Sequence, residues 1–242
     1  MVLASVAPTF AEPGASTAEH SGTMQRANPD MRMVLDQLVK LGAKPIGTQS
    51  VADTRKGPTP ADAVKAVLKA KGQDPVALMA SLKVTKKDLS YPVEGGTQAV
   101  RIYTPEHTGE KALPVVVYFH GGGWVIADLD TYEASAMAMA HKTNAIFVSV
   151  EYRHAPEHKF PAAHDDAIAA YKWVIANAAS FGGDPSRIAV AGESAGGNLA
   201  ANVAIAARDQ KLQTPMHMLL VYPVSGTNTD TPSYQKNEMR FR

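Results

Sequence analysis

The spacing of the hydrophobic positions changes along the chain, and the change divides it. Between Met24 and Lys40 the apolar residues Met31, Val34, Leu35 and Leu38, continued by Leu41, recur with the period of one helix face. Gly42 suits the stop, and Pro45 follows it. The Gly-, Thr- and Pro-rich stretch from Gly47 to Pro60 reads as a loop. Thr59-Pro60-Ala61-Asp62 then opens a second helix, with Thr59 as N-cap and Pro60 in the first helical position. Val64, Val67 and Leu68 form its apolar face, and it ends near Gly72.

Beyond these helices the pattern becomes one of strands. Gln98 to Thr104 alternates apolar and polar residues. Four short, nearly continuous apolar runs follow, at Pro114–His120, Ala145–Tyr152, Arg187–Gly192 and Met216–Tyr222. Such runs suit central strands covered on both faces. Helical patterns lie between them at Tyr132–His141, Ala162–Ala178 and Ala195–Arg208. This alternation predicts an α/β fold with a mostly parallel sheet and helices on both faces. The expected organisation is a leader over residues 1–23, an N-terminal helical cap over 24–87 and an α/β core over 88–242.

The composition, 45% hydrophobic and 19% charged over 242 residues, is that of a globular chain with a sizeable core. Lys plus Arg is 24 against 23 for Asp plus Glu, so no basic excess marks a nucleic-acid surface. The absence of cysteine removes disulfides, thiol nucleophiles and thiolate metal sites together. No apolar run approaches the ~18 residues of a membrane span, so no integral membrane contact is expected. The first residues, Met1-Val-Leu-Ala-Ser-Val-Ala-Pro, lack the basic start of an export signal, and they read as a disordered leader or as the remnant of such a signal. The sequence assigns no compartment.

The chemistry sits in two strings. Gly192-Glu193-Ser194-Ala195-Gly196 places a serine at a turn between an apolar strand and a helical pattern. Glycines two before and two after leave room for a sharp elbow, and the helix start behind Ser194 favours developing negative charge. A phosphate loop would need G-x-x-x-x-G-K-[ST], which the sequence lacks. The second string, His120-Gly121-Gly122-Gly123-Trp124, follows another strand and offers bare amides of the kind that bind the oxyanion of acyl transfer. Among the histidines, only His154 and His158 have metal-like spacing, and Pro156 between them breaks the helix it would need, so no metal is expected. Lys83, Lys86 and Lys87 read as a solvated face.

With these strings in order, the sequence resembles the hormone-sensitive-lipase family of α/β-hydrolases, the bacterial family IV esterases. The resemblance extends over about residues 24–235 and includes Tyr152-Arg-His-Ala-Pro-Glu-His-Lys-Phe-Pro-Ala163, Asp165-Asp166 and Gly183–Leu199. Glu151 and His154 depart from the family pattern, which has Asp and Leu there. The resemblance implies a cofactor-free carboxylesterase acting on short- to medium-chain acyl esters. Ser194 would be the nucleophile, and the amides of Gly122, Gly123 and Ala195 would form the oxyanion hole. Gly121, His120 and Trp124 would shape the loop. Tyr152, Arg153 and Glu157 would form a structural polar cluster, Glu193 would adjoin the nucleophile, and the N-terminal helices would line the acyl pocket.

The family completes its triad with an Asp and then a His on loops after further strands. After Ser194 this sequence has only Asp209, Asp230, Glu238 and His217 to offer, and His217 opens its strand at the end remote from the serine. The expectation is therefore a chain truncated at its C-terminal side, with the final strands, the acid and the base missing. His120 and His154 lie nearer the catalytic face and are expected to be structural. A pseudoenzyme or ligand-binding module is the alternative reading. The apolar last strand raises a third expectation, self-association or pairing with a complementing chain.

Overall fold

The computed structural model describes residues 27–107, 109, 111–228 and 230–236. The leader expected over 1–23 and Glu238 lie outside the described residues. Four helices come first: α1 (Pro29–Lys40), α2 (Val51–Lys56), α3 (Pro60–Ala70) and α4 (Pro75–Ser81). Thr59 and Asp62 close a reciprocal capping box at the start of α3, with Pro60 in its first turn. The hydroxyl of Ser50 accepts the Asp53 amide at 3.1 Å and starts α2 inside what the sequence presents as a loop. That six-residue helix has only the adjacent Val51 and Ala52 as apolar residues, so it has no periodicity to read. No helix among the described residues is long and apolar enough to cross a membrane.

The sheet begins at Val84, ahead of the expected boundary at residue 88. Strand β1 (Val84–Val93) escaped the pattern reading because it is an edge strand on which only Tyr91 is buried. Lys86 and Lys87 lie on its exposed length. Then follow β2 (Gly96–Pro105), β3 (Leu113–Phe119), α5 (Glu133–Thr143), β4 (Ile146–Val150), α6 (Ala162–Asn177), β5 (Gly183–Glu193), α7 (Ala195–Asp209), β6 (Met218–Val221) and α8 (Pro232–Lys236). The six strands lie in the order β1-β2-β4-β3-β5-β6. β1 with β2 and β2 with β4 are antiparallel, and the remaining pairs are parallel. The helix between each successive pair from β3 to β6 supplies the crossover that parallel strands require.

The core follows from alternation along the strands. Val115, Val117 and Phe119 of β3, with Ile146, Val148 and Val150 of β4, face the same cluster as Ala167, Tyr171 and Val174 of α6 and Leu199 and Val203 of α7. Tyr118 and Phe147 point the other way, into a second cluster with Ala136, Met137 and Ala140 of α5. Each central strand is thus covered on both faces, as its continuous apolar run requires. The run at Met216–Tyr222 differs: β6 spans only Met218–Val221, with Met218 and Leu219 each 47% exposed. It is an edge strand among the described residues and lacks the cover that the central strands have.

Candidate active site

The parallel register brings the ends of β3 and β5 side by side, with Phe119 opposite Gly192. The two motifs therefore leave the sheet at the same place. Ser194 sits between β5 and α7 with φ 55° and ψ −119°, a conformation sparsely populated by residues other than glycine. Three backbone bonds over-determine it: its amide donates to Val221 at 3.0 Å, and its carbonyl accepts from Asn198 and Val224, both at 3.1 Å. A Cβ at Gly196 would overlap the carbonyls of Phe119 and His120, which explains the glycine two after the serine. Ser194 is half-buried, and among the described residues no group hydrogen-bonds its hydroxyl.

The loop after β3 packs directly on this elbow. A Cβ at Gly121 would stand 2.9 Å from the Tyr132 hydroxyl and 3.2 Å from the Glu193 carbonyl, with Ser194 Cβ at 3.5 Å, so a side chain here would push on the groups that hold the elbow. Gly122 has φ +117°, and its carbonyl accepts from Val125 at 3.1 Å and Ile126 at 3.0 Å. The amides of Gly122 and Gly123 donate to no acceptor among the described residues. The amide of Ala195, first in α7, belongs to the unsatisfied set at a helix start. These three donors lie on the two segments that flank the serine.

Polar side chains fix the loop from behind. Tyr152 Oη donates to the His120 carbonyl at 2.8 Å, and its ring stacks on the imidazole with centroids 4.5 Å apart. Burial drives the Tyr152 phenol well above its ordinary pKa and keeps it a neutral donor. Trp124, at φ 60°, accepts the Ala155 amide on its carbonyl at 2.9 Å and stacks against His164. Glu193 accepts from Tyr118 Oη at 2.6 Å, and burial raises its pKa.

The expected polar cluster of Tyr152, Arg153 and Glu157 separates into different interactions. Arg153 turns to the buried Asp166, with Nη2–Oδ1 at 2.7 Å and its own amide on Oδ2 at 2.8 Å. Glu157 pairs instead with Arg55 of α2, a residue that sequence reasoning missed. Arg55 also donates from Nε to the Val125 carbonyl at 2.8 Å and from Nη2 to the Ala155 carbonyl at 2.8 Å. One guanidinium thus joins an N-terminal helix to the glycine loop and to the segment after β4. Its partners lie 70 to 102 residues away, and no local pattern marks them.

No histidine among the described residues hydrogen-bonds Ser194. His217 adjoins β6 at the Met218 end, which faces Val190, whereas Val221 faces Glu193. His164 Nε2 meets Asn198 Oδ1 at 2.9 Å. Asp209 pairs with Arg208 at the far end of α7. The fold does assemble three candidate metal donors that the spacing did not reveal. Ligand atoms of His120, Glu151 and His154 all lie within 4.8 Å of one another.

A family model described as the alpha/beta hydrolase fold matches residues 116–241, just over half of the chain. The chain belongs to the α/β-hydrolase family. Within it, the relatives place the chain in the hormone-sensitive-lipase-like branch of carboxylesterases. Carboxylesterase NlhH of Mycobacterium tuberculosis is 47% identical over 164 residues, 67% of this chain and 50% of the relative. Ethyl acetate hydrolase of Pseudomonas putida is 31% identical over 213 residues, 86% of this chain and 64% of the relative. Among solved structures, esterase LipW from Mycobacterium marinum superposes with a TM-score of 0.69 at 31% identity, over 88% of this chain and 62% of that one. The carboxylesterase EstE1, cloned from a metagenomic library, gives 0.65 at 38% identity, over 78% and 60%. The chain spans about half the length of the first curated relatives it matches.

Proposed function

We propose that this hydrolase is a serine carboxylesterase acting on short- to medium-chain acyl esters. The observation that carries the reading is the strained, unpartnered Ser194 packed against a glycine loop with free amides. Ser194 Oγ would attack the ester carbonyl, and the amides of Gly122, Gly123 and Ala195 would hold the oxyanion. Expulsion of the alcohol leaves an acyl-enzyme, which water then cleaves to the acid. The general base and its acid partner would come from outside the described residues, since none of these reaches the hydroxyl. Helices α1–α4 would cap the acyl pocket. The exposed edge of β6 would take a further strand, whether of the same polypeptide, a second copy or a complementing chain.

The unpartnered serine also favours a second reading, a ligand-binding module on the same fold. Removing the base of a serine hydrolase triad costs on the order of 10⁶ in turnover, so the esterase reading requires that a base reach Ser194 from outside the described residues, and the module reading does not. Hydrolysis of p-nitrophenyl butyrate by this chain, compared with Ser194→Ala, separates them. Turnover that disappears in the variant supports the esterase. Equal rates, with ester binding unchanged by the substitution, support the module.

A further inference from the structure

We propose that His120, Glu151 and His154 form a binding site for a divalent transition-metal ion of the zinc class, directly behind the glycine loop. The inference is independent of the esterase reading. His120 Nε2 lies 3.7 Å from Glu151 Oε1, and His154 Nε2 lies 3.6 Å from the same oxygen. These separations are too long for hydrogen bonds, which for nitrogen and oxygen fall at about 2.7–3.2 Å. They are close to the spacing of ligands on one ion, about 3.3 Å for bonds of about 2.0–2.1 Å in a tetrahedral zinc site.

The protonation pattern points the same way. His120 is fully buried, and its Nδ1 lies 2.7 Å from the Gly121 carbonyl. A carbonyl only accepts, so Nδ1 carries the proton and Nε2 presents a lone pair. This is the orientation that a backbone carbonyl imposes on metal-ligating histidines. The Nε2 atoms of both imidazoles are buried without a hydrogen-bond partner. Glu151 spends Oε2 on the Leu129 amide at 3.2 Å and leaves Oε1 facing the two rings. The lone pair on His120 Nε2, the free Oε1 of Glu151 and the unpartnered Nε2 of His154 thus converge with no hydrogen bond among them, and a cation bound by the neutral form of both rings satisfies all three together. Two imidazoles and one carboxylate suit zinc and its neighbours rather than calcium or magnesium. His154 and Glu151 are partly exposed, at 15% and 21%, which leaves a path for the ion and water for its open positions. The nearby cation, Arg55, already has Glu157 as its counter-charge. Glu151 and His154 are also the two positions at which the sequence departs from the family pattern.

The test is calorimetric titration of the chelator-treated full chain with Zn²⁺, supported by the visible spectrum of Co²⁺. One equivalent binds, and thermal stability rises with it. His154→Leu, which restores the apolar residue of the pattern, weakens binding by more than ~100-fold, beyond the usual effect of an outer-shell change. Glu151→Gln does the same while its amide fills the gap between the rings, so the fold survives. His158→Gln, outside the site, binds as the wild type does. No stoichiometric uptake, or equal uptake by His154→Leu, overturns the proposal.

Discussion

Arg55 and Glu157, 102 residues apart, face each other as a two-pronged ion pair, with Nη1–Oε1 and Nη2–Oε2 both at 2.9 Å. The same guanidinium holds the Val125 and Ala155 carbonyls, so four hydrogen bonds depend on one side chain. Arg55→Ala leaves both carbonyls without their donor. The predicted loss is about 1–2 kcal/mol, since the site is partly exposed and screened. Hydrogen exchange localises it: the amides of Val125 and Ile126, which donate to the Gly122 carbonyl, gain exchange, while those of β4 do not. Arg55→Lys recovers little, because an ammonium cannot reproduce the planar fork.

The pair also sets a pH dependence. Hydrogen bonding to Arg55 holds the Glu157 carboxyl down at about 2, against an ordinary 4.5. A depressed acid stabilises the fold above its unfolded pKa and loses that contribution as pH falls through the folded value. Stability is predicted to decline between about 4.5 and about 2 on this account. Glu157→Gln lacks this component, so acid titrations of the two proteins followed by circular dichroism converge at the low end.

Ser194 holds φ 55° in a non-glycine residue. Strain of this kind costs about 1–3 kcal/mol, of which glycine recovers part after its extra chain entropy. Ser194→Gly is predicted to be more stable than the wild type by about 1 kcal/mol, measured by urea denaturation. A destabilised variant would show that the elbow is relaxed.

Asp166 is 1% exposed and engages the side chain and the amide of Arg153. Asp166→Asn leaves a guanidinium facing a neutral amide in a buried setting. The predicted loss is about 3 kcal/mol, the lower end for breaking a buried pair, because Arg153 reaches solvent. Thermal unfolding of the variant checks it.

The central sheet was legible because β3, β4 and β5 are buried on both faces, and that burial writes continuous apolar runs such as Val115-Val116-Val117 into the sequence. The capping box at Thr59 was legible because it is local. Strand β1 was not, since an edge strand carries Thr85, Lys86, Lys87 and Asp88 in succession without cost to the core. The glycine loop and Ser194 were read from strings whose chemistry needs small residues in fixed order. The grip of Arg55, and the convergence of His120 with Glu151 and His154, depend on how distant segments meet. Neither periodicity nor spacing records such meetings.

The central claim is that Ser194 and the free amides beside it form a site for a tetrahedral acyl adduct. Boron-11 magnetic resonance of an alkylboronic acid added to the protein at mildly alkaline pH tests this most directly, because the serine oxygen adds to trigonal boron and gives its proton to solvent, without the leaving-group step that needs an acid. The account predicts a tetrahedral boron signal at one equivalent in the wild type and none in Ser194→Ala. Trigonal boron in both proteins, or the same tetrahedral signal in both, would contradict it.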